Sequence, residues 1–121
     1  MRLLKAIRDA DALRPNKMST MRKAEDLMEL EARFAEMMGV DAPTLSVNTE
    51  DDTASVEDFE LLMPDGHCEC YCLYLAAALD AYNQDSALYA NDYVLANRAV
   101  ENAMAWWRRN NRKASLGNWK V

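Results

Sequence analysis

The sequence contains few residues that break helices and no long apolar segment. Of its 121 residues only three are Gly and three are Pro, whereas 50% are apolar. No apolar run approaches the ~20 residues that a membrane-spanning helix requires. The N-terminal segment MRLLKAIRDAD becomes acidic before a signal-peptide core develops. This composition predicts a helical, soluble domain made inside the cell, with no membrane segment.

Net positive charge is also absent, because 14 Lys and Arg face 20 Asp and Glu, for a formal charge of −6. This balance argues against a generic nucleic-acid binder, which needs surplus positive charge to displace counterions from phosphates. Residues 39–69 contain nine acidic groups and no Lys or Arg, whereas residues 98–121 contain six basic groups and one acidic group. Such opposed blocks can attract a partner or a neighbouring copy. The alternative is a solvated loop followed by an ordinary helix end.

Apolar spacing predicts two helices in the first third of the chain. The first covers about residues 2–13 and stops at Pro15, because the residue before a proline is pushed out of the helical region. The second begins at a Ser19 or Thr20 cap and ends just before Gly39, a residue suited to a left-handed C-cap.

Residues 40–64 lack helical periodicity and predict a long acidic loop. A loop of this length is rare in a compact domain unless it is functional or disordered. We therefore expect it to meet something outside its own core, with a floppy solvated loop as the alternative. The third helix is expected to start after Pro64, with Asp65 as a possible cap, and to end near Tyr82.

A fourth helix is predicted up to about Asn110, after a short turn that should place it antiparallel to the third helix. Its predicted seam steps by three and four residues through Tyr89, Tyr93, Ala96, Val100, Ala103 and Trp107. The sequence therefore predicts an all-α, four-helix bundle-like protomer. Its helical domain would cover residues 1–110, followed by an extended C-terminal tail over 111–121.

The three cysteines and the single histidine all fall in the segment HCECYC at residues 67–72. Zinc needs four converging ligands, commonly supplied by two separate parts of a chain. On a helix only Cys68 and Cys72 would share a face, and no second half-site exists elsewhere. The segment therefore predicts reduced thiols that pack as small apolar groups, with no bound metal.

No catalytic arrangement is recognisable in the sequence. His67 stands at a helix start with no nucleophile elbow beside it, and the glycines stand alone rather than in a phosphate loop. The paired carboxylates Glu57 and Asp58 lack the burial that would tune one of them for acid–base work. Glu31 falls within the apolar stripe of the second helix and is expected at its edge. The sequence predicts a protein that is not an enzyme and needs no cofactor.

The C-terminal quarter is rich in the residue types that dominate binding hot spots. These are Trp106, Trp107, Arg108, Arg109, Arg112 and Trp119. Trp107 is expected in the core. Trp119 lies beyond the last helix and is better explained as an anchor in another subunit or protein, with folding back onto its own bundle as the alternative.

The order of short motifs along the chain carries a resemblance. The first helix ends in LRPN (13–16), the loop ends in LLMP (61–64), the third helix ends in DAYN (80–83), and the last helix contains AWWRR (105–109). This order resembles the small head–tail connector proteins of tailed bacteriophages, also called adaptor, head-completion or neck proteins. The likeness covers nearly the whole chain. It departs from the family pattern at residues 67–72 and 84–85.

The resemblance implies a structural protein of the virion neck, at the head–tail interface, made in the cytoplasm of the bacterial host. Such proteins form a homo-oligomeric ring, typically dodecameric, beneath the portal protein. The ring extends the DNA tunnel and supports the stopper or tail-completion protein. Genomic DNA passes through its lumen without specific binding, and no membrane is involved.

The resemblance also assigns roles to two segments. The C-terminal segment would face the portal through Trp106, Arg108, Arg109, Arg112, Lys113, Leu116, Trp119 and Lys120. The loop would contact a neighbouring subunit or the next ring through Glu50, Asp51, Asp52, Glu57, Asp58 and Phe59. The alternative is a small helical binding or regulatory module of phage origin, and a metal-dependent or thiol enzyme ranks last.

Overall fold

The computed structural model describes residues 1–46 and 56–111, and within them the fold is all-α, as the sequence predicts. The helices are α1 (Leu3–Leu13), α2 (Thr20–Met38), α3 (Glu69–Tyr82) and α4 (Ser86–Asn110). The described residues form no strand, only an isolated antiparallel bridge between Arg2 and Glu60.

The ends of α1 and α2 confirm the predicted caps. Arg14 precedes Pro15 and leaves the helical region, with φ −136° and ψ 89°. The Ser19 hydroxyl oxygen accepts a hydrogen bond from the Arg22 backbone nitrogen at 3.2 Å, which caps the start of α2. Gly39 ends α2 at φ 73°, a left-handed conformation that glycine adopts without a side-chain clash.

The start of α3 differs from the prediction. The helix begins at Glu69 rather than directly after Pro64, and Asp65 does not cap it. The Asp65 carboxylate is exposed and accepts a hydrogen bond from the ammonium nitrogen of Met1 at 2.9 Å. This contact lowers the pKa of Asp65. A full positive charge on the ammonium attracts the carboxylate more strongly than the partial charge at a helix N-terminus.

The hydrophobic core lies around α3, which contacts each of the other three helices. The fully buried side chains of the core include Leu3, Leu27, Leu30, Phe34, Tyr71, Leu75, Leu79 and Val100. The phenyl ring of Phe34 meets the Tyr71 ring edge-on, with 5.7 Å between centroids. Because α3 is surrounded on several sides, its stability depends on packing rather than on one amphipathic face.

The second part of the acidic loop packs on its own protomer. Val56, Leu61 and Met63 are buried in the core. The backbone carbonyl of Phe59 accepts a hydrogen bond from the Leu3 nitrogen at 2.9 Å. This bond gives a partner to one of the free N–H groups in the first turn of α1. The described part of the loop is thus tied to the helical domain.

The seam between α3 and α4 follows the prediction only in part. The two helices lie antiparallel, and Ala96, Val100 and Ala103 of α4 are buried. However, Tyr89 and Tyr93 are 38% and 50% exposed, so they are not part of a buried seam. Among the described helices α4 packs chiefly against α3, and a groove separates Tyr89 and Tyr93 from α2, so α2 does not cover these rings.

Glu31 is fully buried, contrary to the expectation that it lies at the edge of the apolar stripe. One carboxylate oxygen accepts a hydrogen bond from the Tyr71 hydroxyl, and the other accepts one from the Leu62 nitrogen at 2.9 Å. The Tyr71 oxygen in turn accepts a hydrogen bond from the Met63 nitrogen at 3.0 Å. Burial raises the pKa of Glu31, and the two hydrogen bonds that it accepts oppose this rise. The network joins α2, the loop and α3.

Truncating Leu79 tests the central position of α3. The Leu79 side chain is fully buried, so Leu79→Ala is expected to lower the free energy of unfolding by about 2–5 kcal/mol. Leu13→Ala is the matched control, because that leucine is 50% exposed and its truncation should change stability by no more than about 0.5 kcal/mol. Urea unfolding followed by circular dichroism measures both. Equal losses of stability in the two variants would show that α3 is rotated about its axis and does not bury Leu79.

Removing one hydroxyl tests the buried network. Tyr71→Phe keeps the aromatic ring but leaves the Glu31 carboxylate and the Met63 N–H short of a partner. We expect the free energy of unfolding to fall by about 1–3 kcal/mol. Tyr74→Phe is the control, since the Tyr74 hydroxyl makes no hydrogen bond with another described residue. A Tyr71→Phe variant as stable as this control would contradict the role of the network.

Candidate interaction surfaces

The C-terminal end of α4 contains the described part of the predicted portal interface. The Trp106 ring stacks on the His67 imidazole, with 3.9 Å between centroids and 19° between the ring planes. One face of this indole is therefore covered within the protomer. Trp107 is half-buried and packs against the core, as predicted. Arg108 and Arg109 are exposed in the last turn of the helix.

The side chains of two asparagines donate additional hydrogen bonds to backbone carbonyl groups at this helix end. The Asn110 side-chain nitrogen donates to the Trp106 carbonyl at 2.9 Å, and the Asn111 side-chain nitrogen donates to the Trp107 carbonyl at 2.9 Å. The guanidinium groups of the last turn make no ion pair with another residue in the described ranges. The remaining predicted portal contacts, Arg112, Lys113, Leu116, Trp119 and Lys120, lie outside the described residues.

Three of the predicted loop contacts lie in the described residues, and their side chains have different surroundings. The Asp58 carboxylate is exposed, yet it accepts a hydrogen bond from the Leu4 nitrogen at 3.2 Å at the start of α1. Phe59 is half-buried and packs against the protomer's own core. Glu57 is exposed, and its side chain has no ion-pair partner among the residues described. The other three predicted contacts, Glu50, Asp51 and Asp52, lie outside the described residues.

A buried ionic cluster joins the ends of three helices, and the sequence did not predict it. Arg14 follows α1, and its Nε donates to Asp80 of α3 at 3.0 Å. The same guanidinium donates from Nη2 to Asp92 of α4 at 2.7 Å. Asp80 is 1% exposed, and its second carboxylate oxygen has no partner among the described residues. A single cation therefore serves two carboxylates.

The Arg14 cation, which is shared with Asp92, does not keep the pKa of Asp80 at its ordinary value. Burial of the Asp80 side chain and the adjacent Asp92 carboxylate raise its pKa to about 6, against the opposing effect of Arg14. The cluster lies at the turn between α3 and α4, where the Asn83 side chain also donates to the Pro15 carbonyl at 3.1 Å. These bonds hold the end of α1 against that turn.

The three cysteines of residues 68–72 differ in burial. Cys70 is buried, Cys68 and Cys72 are half-buried, and all three thiols are free. Burial raises the pKa of Cys70 to about 12, so this thiol stays protonated. In the part of the chain that the structure describes, no three His, Cys, Asp or Glu side chains are placed to hold a metal ion together.

Exposed apolar side chains are concentrated at one end of α4. Of the eight large apolar side chains that are exposed in the described residues, six lie between Tyr82 and Leu95. They are Tyr82, Leu88, Tyr89, Tyr93, Val94 and Leu95. A concentration of exposed apolar side chains on a small domain is a candidate interaction site.

A groove of about 290 Å³ runs beside this apolar surface, between α2, α3 and α4. Its small side chains are Ala77, Ala78, Ala81 and Ala96. Three tyrosines also line it, Tyr74, Tyr89 and Tyr93, whose rings lie beside these alanines. On the α2 side the groove is lined by the carboxylates of Asp26 and Glu29.

Comparison with known proteins gives no match to a family model, a curated protein or a solved structure. No helix among the described residues is long and apolar enough to cross a membrane. The function is therefore argued from the residues and surfaces of this chain.

The sequence contains only a weak signal for two polar arrangements, the Glu31 network and the ionic cluster around Arg14. Glu31 interrupts an apolar stripe, which indicates burial with a partner, but nothing in the local pattern points to Tyr71, 40 residues further along the chain. Asp92 lies one turn before Ala96 on the buried side of α4. An acidic residue in that position could have indicated a cationic partner such as Arg14.

The raised pKa of Asp80 predicts a pH effect on stability. Because this pKa is higher in the folded state, the contribution of Asp80 to stability is present below its ordinary pKa of 3.8 and is lost as the pH rises through about 6. Asp80→Asn removes this titration and keeps an oxygen for Arg14. The free energy of unfolding of the wild type should therefore fall, relative to that of Asp80→Asn, by about 1 kcal/mol or more between about pH 4 and pH 7.

Urea unfolding at a series of pH values measures this difference. Asp41→Asn makes the same chemical change at an exposed position and serves as the control. If the free energies of unfolding of the wild type and Asp80→Asn differ by a constant amount at every pH of the series, the assignment of the titration to Asp80 is wrong.

Proposed function

We propose that this protein is a structural component of a tailed-phage virion. It would form a homo-oligomeric, dodecameric ring beneath the portal protein, extend the DNA tunnel and join the capsid to the tail at the neck. The order of motifs along the chain supports this role, together with an all-α protomer whose charges and exposed apolar groups are concentrated in separate regions. The role requires no catalysis, metal or cofactor.

The cationic end of α4 is the observation that carries the proposal. Arg108 and Arg109 are exposed in the last turn, and residues 112–121 continue with three more basic groups, Leu116 and Trp119. Arginine and tryptophan are the residues that most often dominate protein–protein binding. In this proposal the segment from Trp106 onward binds the portal protein.

The acidic loop supports contacts on the other side of the ring. Glu57 is exposed and without an ion pair among the described residues, and the Asp58 carboxylate is exposed where it caps α1. In the proposal these carboxylates face a neighbouring subunit, the next ring or a stopper or tail-completion protein. The net charge of −6 also suits a tunnel through which DNA must slide, because like charges do not bind phosphates.

Deleting residues 114–121 tests the portal contact. The described helices do not include this segment, so helical circular dichroism and the melting temperature should stay close to those of the full chain. Co-sedimentation with purified portal rings should be lost, because Leu116, Trp119 and Lys120 are removed. A full-length control in which residues 114–121 are replaced by Gly and Ser should fail in the same way.

The outcomes separate the proposal from its alternative. If the shortened chain still sediments with portal rings, the C-terminal segment is not the portal contact. If the folded full-length chain does not bind portal rings at all, the connector role is wrong, and a binding or regulatory module becomes the better hypothesis. Electron microscopy of the mixture would then show bare portal rings.

A further inference from the structure

The N-terminal half of α4 exposes a surface without charge. From Ser86 to Asn97 the only Asp, Glu, Lys, Arg or His on the helix is Asp92, which contributes no exposed charge because its carboxylate is buried and bonded to Arg14. The exposed side of α2 is very different, since it contains Arg22, Glu25, Glu29, Arg33 and Glu36. In a chain that is 28% charged, twelve consecutive residues with no exposed charge are unusual for a surface that only meets water.

One flank of this surface is a ridge. Leu88 and Leu95 lie seven residues apart, and Arg98 follows three residues later, so the three side chains share one side of α4. All three are exposed. Arg98 makes no ion pair with another residue of the described segments. The ridge therefore offers two apolar side chains followed by one free cation.

The other flank of α4 borders the alanine-floored groove. Tyr89 and Tyr93 form its α4 side, and Asp26 and Glu29 lie on its α2 side. Neither carboxylate has an ion-pair partner among the described residues. Burial raises the pKa of Asp26, and the neighbouring Glu29 adds to this rise, whereas the Arg22 charge opposes it.

We propose that the Leu88–Leu95–Arg98 ridge of one copy of this chain docks into the groove of the next copy, with Arg98 facing Asp26 and Glu29. The leucines would cover the alanine floor, and the tyrosine rings would flank them. This inference rests on the proposed function and names the subunit interface of its ring. The ridge and the groove lie on different flanks of α4, so the contact is heterologous. Copies joined in this way form a closed ring when the rotations from each copy to the next add up to a full turn.

A second copy is the occupant that the charges favour. Two chains with a charge of −6 each repel one another unless they meet through a neutral surface or an opposite pair. The face of α4 supplies the neutral surface, and Arg98 with the two groove carboxylates supplies the pair. Each copy contains both halves, so no other partner is needed to complete the contact.

Charge reversal on each side of the contact tests it without the portal. One variant is Arg98→Glu, and the other combines Asp26→Arg with Glu29→Arg. Each alone places like charges opposite one another, so self-association measured by sedimentation velocity should weaken by about tenfold or more. Mixing the two variants restores opposite charges at every contact, and the mixture should associate as the wild type does. Arg8→Glu, the same change on α1 outside the ridge and groove, should have no effect.

Several results would overturn this interface. They are a wild type that stays monomeric at every concentration, reversal variants that associate normally, and a mixture that does not recover. A symmetric contact between two α4 ridges would give the last result. Failure here is distinct from failure of the proposed function. A wild type that self-associates through this contact but ignores portal rings would keep the interface and reject the connector role.

Discussion

The whole protomer depends on burying one short helix. α3 contacts the other three helices, and its Leu75 and Leu79 side chains are fully buried. Its alanines allow neighbouring helices to approach closely, so α1 and α2 can cover one side while α4 covers another. Because α4 packs chiefly on α3, and a groove separates its N-terminal half from α2, that half keeps its apolar side chains exposed. The packing of the core thus creates the surface on which the proposed assembly relies.

Buried polar groups fix how the segments around α3 are placed. Glu31 and Tyr71 bind the backbone of the loop at Leu62 and Met63, so that the loop enters the core. Arg14 fixes the turn between α3 and α4, at the end of α3 that is away from Tyr71. A buried carboxylate is costly unless it is hydrogen-bonded. Making these hydrogen bonds requires one arrangement of the helix ends, which limits the other ways in which the helices could pack.

The two ends of α4 have different chemistry and serve different proposed contacts. The C-terminal end is cationic and aromatic, whereas the N-terminal half is neutral and apolar. A ring needs one contact that repeats between identical copies and another that faces a different protein. The neutral half suits the first, since equal charges on two copies do not oppose it. The cationic end suits the second, since it can attract an acidic surface on a different protein.

The sequence by itself determined the local features of this fold. Pro15, Ser19 and Gly39 mark helix ends, because a proline ring, a capping hydroxyl and a missing side chain act on the residues next to them. The tertiary structure alone decided the burial of Glu31 and the pairing of Arg14 with two aspartates. Those contacts join residues 31 to 78 positions apart in the chain. Their formation depends on which helix faces meet, and local periodicity does not encode that choice.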